Sequence, residues 1–208
     1  VPEPTFVTET RDGYNAFAAE YQQLFGDIMG RNHWERLTLR GFAESVRAAP
    51  GPVIEVGAGT GVVTAFLKDL GLDITGLELS ENMLEIARRK HPRVPFTTGS
   101  MTELQQPGHS LAGLVAWYSI IHVPGEHLPA VFAEFHRVLR PGGLLLLAFQ
   151  VGNEDLVTRD ITFRRRQPAG VVALLREAGF ELELETVRAG DGTEKTPQAY
   201  LVARSGSL

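Results

Sequence analysis

The chain has no cysteine, which excludes disulfide staples, thiolate metal centres and thiol nucleophiles together. Nor does it contain an apolar run near the ~20 residues that a membrane-spanning helix needs. Its first residues show neither the basic nor the apolar region of a signal peptide, so the expectation is a cytoplasmic protein with no membrane partner. Positive charge is not in excess: 20 Lys and Arg stand against 25 Asp and Glu, a formal net charge of -5. That balance opposes a nucleic-acid surface unless the basic residues cluster. Apolar residues and glycine are plentiful. With 208 residues, 43% of them hydrophobic, and 22 glycines, the chain can bury one sizeable core, and a single domain is expected.

From Pro52 to Ala178, short apolar runs alternate with helical patterns, the signature of an α/β fold whose parallel sheet is covered on both faces. Strands are predicted at 53–56, 73–77, 94–97, 111–117 and 144–149, and helices at 61–70, 81–90 and 126–139. Arg140-Pro141-Gly142-Gly143 reads as a helix stop and turn. Later, 171–178 reads as a helix ended by Gly179, and 180–187 alternates apolar and acidic residues as a half-exposed strand does. A turn over 189–193 and a last strand at 198–204 then make an antiparallel hairpin at the sheet edge. Upstream, 14–25 and 34–48 read as two helices, the first with Phe17, Tyr21, Leu24 and Phe25 on one face, a stripe equally suited to core packing or to a lid.

Val53-Ile54-Glu55-Val56-Gly57-Ala58-Gly59-Thr60-Gly61 ends one predicted strand and opens a helix. A turn without side chains at this place lets a ligand approach the backbone closely. The spacing discriminates among ligands. A dinucleotide fingerprint wants G-x-G-x-x-G, whereas Val62 stands at the sixth position from Gly57, and no Lys-Ser or Lys-Thr follows to cradle a triphosphate. Glu78 ends the second strand about twenty residues on, where a carboxylate suits two ribose hydroxyls. Ser80 then suits the N-cap of the next helix.

Together these residues resemble class I, Rossmann-like S-adenosylmethionine-dependent methyltransferases, and the resemblance covers essentially the whole chain. Residues 53–61 are similar to the family's first motif and 76–83 to its second; Gly99-Ser100-Met101, the run 114–122, and 136–143 resemble later ones. Within the family, Ala116-Trp117-Tyr118-Ser119-Ile120-Ile121-His122, Ala148-Phe149-Gln150-Val151-Gly152 and Lys195-Thr196-Pro197-Gln198-Ala199-Tyr200 look like a bacterial small-molecule subgroup. The resemblance implies a seven-stranded sheet of order 3-2-1-4-5-7-6 with strand 7 antiparallel. It implies S-adenosylmethionine as cofactor and S-adenosylhomocysteine as product, and it divides the domain into a helical cap (1–50), a cofactor-binding core (51–150) and a substrate-side segment with the C-terminal hairpin (151–208). Glu55 and Gly57 would face the methionyl part, Glu78 the ribose, Leu79 and Met83 the adenine face, and Ser100 with Met101 its edge, while Tyr21 would close over the cofactor carboxylate. Ala58, Gly59, Thr60, Gly61, Gly99, Trp117 and Tyr118 complete the implied set. Many relatives carry aspartate where Ser100 stands, so the adenine amino contact here falls to backbone groups or the serine hydroxyl.

The implied reaction is in-line displacement at a sulfonium methyl, in which the protein holds the reacting atoms about 3–3.5 Å apart and aligned. His122 and Tyr118, just past the fourth strand, are the candidate catalytic residues: His122 as general base or orienting group, Tyr118 as base or pocket wall. Relatives that use a divalent metal carry acidic residues before this histidine; Tyr118 and Ile121 stand at those places, and no metal is expected. His91, His109, His127 and His136 show no mutual ligand spacing. The expected partner is a small-molecule acceptor, with no nucleic acid, and the protein a monomer or homodimer. Acceptor specificity is assigned to the N-terminal helices and to 152–168, where Arg159, Arg164, Arg165 and Arg166 either attract an anionic acceptor or line a solvated strand edge. A protein or RNA acceptor, a nicotinamide-dependent oxidoreductase and a non-catalytic cofactor-binding protein stand as the alternatives.

Overall fold

The apolar runs at 53–56, 111–117 and 144–149 are continuous because both faces of each strand are covered. In the computed structural model, which describes residues 3–27, 29, 33–190 and 194–206, successive strand residues divide between two cores. Ile54, Val56, Leu114, Ala116, Leu145 and Leu147 enter one; Val53, Val115, Trp117, Leu144, Leu146 and Ala148 enter the other. This is the two-residue side-chain period of a strand at work.

The elements run α1 (Thr5–Phe25), α2 (His33–Ala48), β1 (Val53–Val56), α3 (Val62–Asp69), β2 (Ile74–Glu78), α4 (Glu81–Lys90), β3 (Phe96–Thr98), β4 (Leu111–Trp117), α5 (Leu128–Val138) and β5 (Leu139–Gln150). There follow β6 (Asp155–Thr158), β7 (Ile161–Arg164), α6 (Pro168–Glu177), β8 (Phe180–Arg188) and β9 (Gln198–Ser205). The main sheet has the order β3-β2-β1-β4-β5-β9-β8. Strands β1 to β5 are parallel, and β9 runs antiparallel to both β5 and β8. This is the Rossmann-like order expected, with the C-terminal hairpin at the edge. On one face α2 and α3 supply Leu39, Phe42, Val46, Val63 and Leu67; on the other α5 and α6 supply Phe132, Phe135, Val171 and Leu175. At the open edge, exposed Glu181, Glu183 and Glu185 on β8 discourage pairing with another strand.

Several local features differ from the sequence reading, among them the starts of α1 at Thr5 rather than 14 and of α6 at Pro168 rather than 171. Strand β3 starts two residues late, because Val94 is held in a turn by the His91 carbonyl and Pro95 has no N–H to give a ladder. Strand β5 starts early, at Leu139, which pairs with Leu111; a register shift between Leu111 and Gly113 absorbs Arg140 to Gly143. The segment after β5, left without elements, forms a hairpin, β6 with β7. Its two turn residues, Arg159 and Asp160, have φ of 51° and 59°, the left-handed pair of a type I′ turn. Asn-Gly would have signalled that turn; Arg-Asp does not. Of the turn expected at 189–193, residues 191–193 lie outside the described ones.

Candidate active site

Strands β1 and β4 are neighbours whose connections depart to opposite sides, which opens a crevice at their C-terminal ends. The glycine loop fills its floor. Gly57, Gly59 and Gly61 all have positive φ, at 74°, 55° and 80°, but they do different things. A side chain at Gly57 would collide with Ser119 Cβ at 2.5 Å, and one at Gly61 with the Phe96 ring at 2.5 Å. At Gly59 the first atom met is Tyr21 Cε1 at 3.9 Å, so the space above Gly59 opens into the crevice rather than into protein. Gly61 starts α3 and does not line the crevice, so of the implied cofactor residues it is the one with a purely local role.

Glu78 is buried at the end of β2, with Oε2 accepting from the Gly59 N–H at 2.8 Å and Oε1 from the N–H groups of Leu79 and Ser80 at 2.8 and 3.0 Å. Burial raises its pKa and these three donors lower it, with burial the larger effect. Oε1 thus accepts two bonds and Oε2 one, which leaves Oε2 lone-pair capacity for a ligand hydroxyl. Leu79, Met83, Gly99, Ser100 and Met101 line the same crevice beyond it. The Ser100 hydroxyl is engaged with the Thr102 hydroxyl at 2.7 Å, which weakens it as the adenine partner.

At the other end, Tyr21, Glu55, Gly57, Ala58, Thr60, Trp117 and Tyr118 surround a second chamber of the crevice. Glu55 accepts a hydrogen bond from the Thr64 hydroxyl, and burial pushes its pKa up to about 8. Thr60 Oγ1 and Trp117 Nε1 are buried here, and Ser119 Oγ in the wall of the first chamber, without a protein partner among the described residues. Orphaned polar atoms in a cavity are costly unless something fills it. A ligand with a polar, zwitterionic end fits this chamber, and one with an adenosine end fits the chamber under Glu78.

His122 is placed on the 3₁₀ turn after β4, but it presents no bare nitrogen. Its Nε2 lies 3.0 Å from the Tyr14 hydroxyl and its Nδ1 3.0 Å from the Thr162 carbonyl. Because a carbonyl only accepts, Nδ1 carries the proton and Nε2 takes the Tyr14 hydroxyl. Burial, with Arg164 and Arg166 nearby, pulls its pKa down to about 4 against the opposing pull of the Thr162 carbonyl. His122 therefore lines the crevice with both ring nitrogens engaged, Nε2 by the Tyr14 hydroxyl and Nδ1 by the Thr162 carbonyl. Tyr118 has φ of 52°, an uncommon conformation for a bulky residue that recurs at functional sites. Its ring walls the crevice while its hydroxyl turns away, donating to Glu35 Oε1 at 3.0 Å, and burial raises its pKa.

Tyr14, Asn15 and Glu35 went unremarked in the sequence. Asn15 Oδ1 accepts from the Ser80 hydroxyl at 2.7 Å and its backbone carbonyl from Asn82 Nδ2 at 2.8 Å, which moors α1 across the start of α4. Nothing in spacing links residues that lie 65 or more positions apart. Among the described residues, no His, Asp and Glu gather into a group able to hold a metal ion, and no helix is long and apolar enough to cross a membrane.

Residues 53–143 match the family described as methyltransferase domain. Demethylmenaquinone methyltransferase of Renibacterium salmoninarum is 33% identical over 116 residues, 55% of this chain and 46% of that protein. An uncharacterized methyltransferase of Oceanobacillus iheyensis is 27% identical over 171 residues, 82% of this chain and 76% of that protein. The chain spans about half the length of several curated relatives it matches, the demethylmenaquinone methyltransferase among them. In fold, the magnesium protoporphyrin IX methyltransferase of Synechocystis with bound S-adenosylmethionine superimposes with a TM-score of 0.75 at 18% identity, over 99% of this chain and all of that one. Residues 53–143 thus match a methyltransferase domain, and the described chain has the Rossmann-like fold of the solved S-adenosylmethionine-binding methyltransferase it resembles.

Proposed function

We propose that the protein transfers a methyl group from S-adenosylmethionine to a small-molecule acceptor. The observation that carries this reading is the crevice above Gly59, with the Glu78 carboxylate at one end and the orphaned polar atoms of Thr60 and Trp117 at the other. The names of the relatives, methyltransferases of demethylmenaquinone and of magnesium protoporphyrin IX, support an acceptor of metabolite size.

Glu78 holds the ribose hydroxyls, with Leu79 and Met83 against the adenine. Glu55, Thr60 and Trp117 hold the methionyl end, and Tyr21 closes over it. When bound, the cofactor supplies an electrophilic methyl on a sulfonium whose departure as a neutral thioether needs no acid. The chain's task is alignment. Tyr118 and Trp117, locked at the end of β4, fix the wall along which an acceptor lone pair approaches. Where the acceptor carries an O–H or N–H, its proton passes to the Tyr14 oxygen as the Tyr14 hydroxyl gives its own proton to His122 Nε2, 3.0 Å away. His122 ends the step with both ring nitrogens protonated and acts on the acceptor only through Tyr14.

Calorimetry with S-adenosylhomocysteine and with NAD tests the cofactor assignment. Binding of the thioether product with no binding of NAD is expected. The reverse result overturns it, and bound cofactor with no methyl transfer to any acceptor would make the chain a binding protein.

A further inference from the structure

Beside the cofactor crevice lies a cavity of about 240 Å³ between the inner face of α1 and the β6–β7 hairpin. It shares Tyr14, Tyr21 and Tyr118 with the crevice, so whatever fills it abuts the cofactor's methyl-bearing region in the reading above. The rest of its wall is chiefly apolar: Phe17 and Phe25 from α1, Phe163 and Ile161 from β7.

The charges at its rim are already engaged. Arg159, at the hairpin turn, forms an ion pair with Glu20 on α1 and stacks 4.5 Å from the centre of the Phe17 ring. Glu194 pairs with Arg188. Arg164 gives an N–H to the His122 carbonyl at 2.8 Å, and Arg166 donates to the carbonyls of Ile120 at 3.1 Å and of Val123. Those three carbonyls belong to the 3₁₀ turn after β4 and its exit; the Ile120 carbonyl also accepts from the Val123 N–H at 3.1 Å, and the guanidinium groups serve those of His122 and Val123. The basic segment that the sequence offered as a lure for an anionic acceptor thus holds the His122 turn in place. An anion brought into the cavity would lose its hydration with no uncommitted cation to meet it.

Among the polar side chains of its lining, Gln150 at the end of β5 carries an amide that can both donate and accept. The rings are also arranged to receive a ring. Tyr21 meets Tyr14 and Phe17 edge to face, at 78° and 86°, and Phe163 meets His122 at 69°. Such walls present both faces and edges, so a ring gains from aromatic contact beyond its buried area, a gain that an aliphatic chain does not obtain.

We infer that this cavity is the acceptor subsite and takes an uncharged, flat aromatic molecule of one or two fused rings. One polar substituent reaches Gln150 and the nucleophile lies on the Tyr14 side. The inference rests on the cofactor reading above, and its test is built to fail separately. Protein saturated with S-adenosylhomocysteine is titrated with 2-naphthol, with 2-naphthoate and with naphthalene. The expected result is that 2-naphthol binds at least tenfold more tightly than 2-naphthoate. Phe163→Ala should weaken 2-naphthol at least tenfold, and Gln150→Leu should weaken 2-naphthol but not naphthalene, with S-adenosylhomocysteine affinity in both variants within twofold of the parent. That last measurement also certifies that the variants are folded. Tighter binding of 2-naphthoate, no binding of 2-naphthol, or 2-naphthol binding indifferent to both substitutions overturns the acceptor assignment and leaves the cofactor reading standing. Failure of the parent protein to bind S-adenosylhomocysteine overturns the cofactor reading first, and this inference with it.

Discussion

Gly59 and Gly61 lie two residues apart, share a left-handed backbone, and should respond to substitution in opposite ways. A methyl at Gly59 enters open crevice, so Gly59→Ala should cost only the backbone strain, roughly 1–2 kcal/mol, while lowering S-adenosylhomocysteine affinity at least tenfold. Gly61→Ala drives a methyl into Phe96 and should lower the melting temperature more than Gly59→Ala does, with a smaller loss of affinity in whatever protein stays folded. Thermal melts and calorimetry on the two variants separate the cases; equal losses of affinity would mean that Gly59 is not the ligand's floor. Glu78→Ala should weaken cofactor binding by about 1.5–3 kcal/mol, the range for hydrogen bonds to a charged acceptor. At this scale the sequence is a good guide where one residue does one thing in a known frame, as in the loop and Glu78. It is a poor guide to His122, whose role depends on Tyr14 and Thr162, which lie 108 and 40 positions away.

His122 carries a pH signature that a solvent-facing base would lack. Its pKa falls from the ordinary value of 6.5 to about 4 in the fold, where Tyr14 from α1, the Thr162 carbonyl from β7, and Arg164 and Arg166 surround it. For a group depressed in this way, the stability it contributes is present above pH 6.5 and is lost as the pH falls through about 4. The parent's melting temperature should therefore fall between pH 6.5 and 4, and His122→Gln, which cannot charge, should fall less over that interval. Identical acid limbs in the two proteins would remove His122 from the account. The accompanying loss of methyl transfer should appear in kcat, with S-adenosylhomocysteine affinity retained, because Tyr14 loses its orientation and the cofactor chambers do not.

At the scale of elements, the central strands and their helices follow from periodicity because each buries a continuous face against one neighbour. The departures occur where a tertiary contact decides: β5 begins where Leu139 finds Leu111, and the hairpin exists because α1 and the His122 turn give it something to cover. Arg166 is the test of that dependence. Arg166→Met keeps the stem's packing but strands the Val123 carbonyl, the Ile120 carbonyl retaining the Val123 N–H, so a loss of about 1–3 kcal/mol is expected in denaturant melts. A loss below about 0.5 kcal/mol would mean that water serves the Val123 carbonyl as well as the guanidinium does.

Across the whole molecule, two buried carboxylates link proton binding to the ligand. Burial raises Glu35 from 4.5 to about 7 and Glu55 from 4.5 to about 8, in both cases against the opposing pull of hydroxyl donors. Raised acids contribute stability that is present below about pH 4.5 and is lost as the pH climbs through about 7 and about 8 respectively, so the ligand-free protein should lose stability on the alkaline side of neutrality. Glu55 lies at the chamber assigned to the methionyl end, whose ammonium favours an ionised neighbour. At pH 7 Glu55 is mostly protonated, so binding of S-adenosylhomocysteine should expel a proton from it, and affinity should rise by up to about tenfold per unit as the pH increases toward 8. Calorimetry at pH 7 in two buffers of different ionisation enthalpy reads this directly, as a release approaching one proton per ligand. Glu55→Gln should abolish the release and flatten the pH dependence, while Glu35→Gln, which meets that chamber only through the Tyr118 hydroxyl, should leave both in place and relieve only the alkaline loss of stability. A parent protein that binds S-adenosylhomocysteine with no proton exchange would place the ammonium away from Glu55 and require another assignment for the methionyl end.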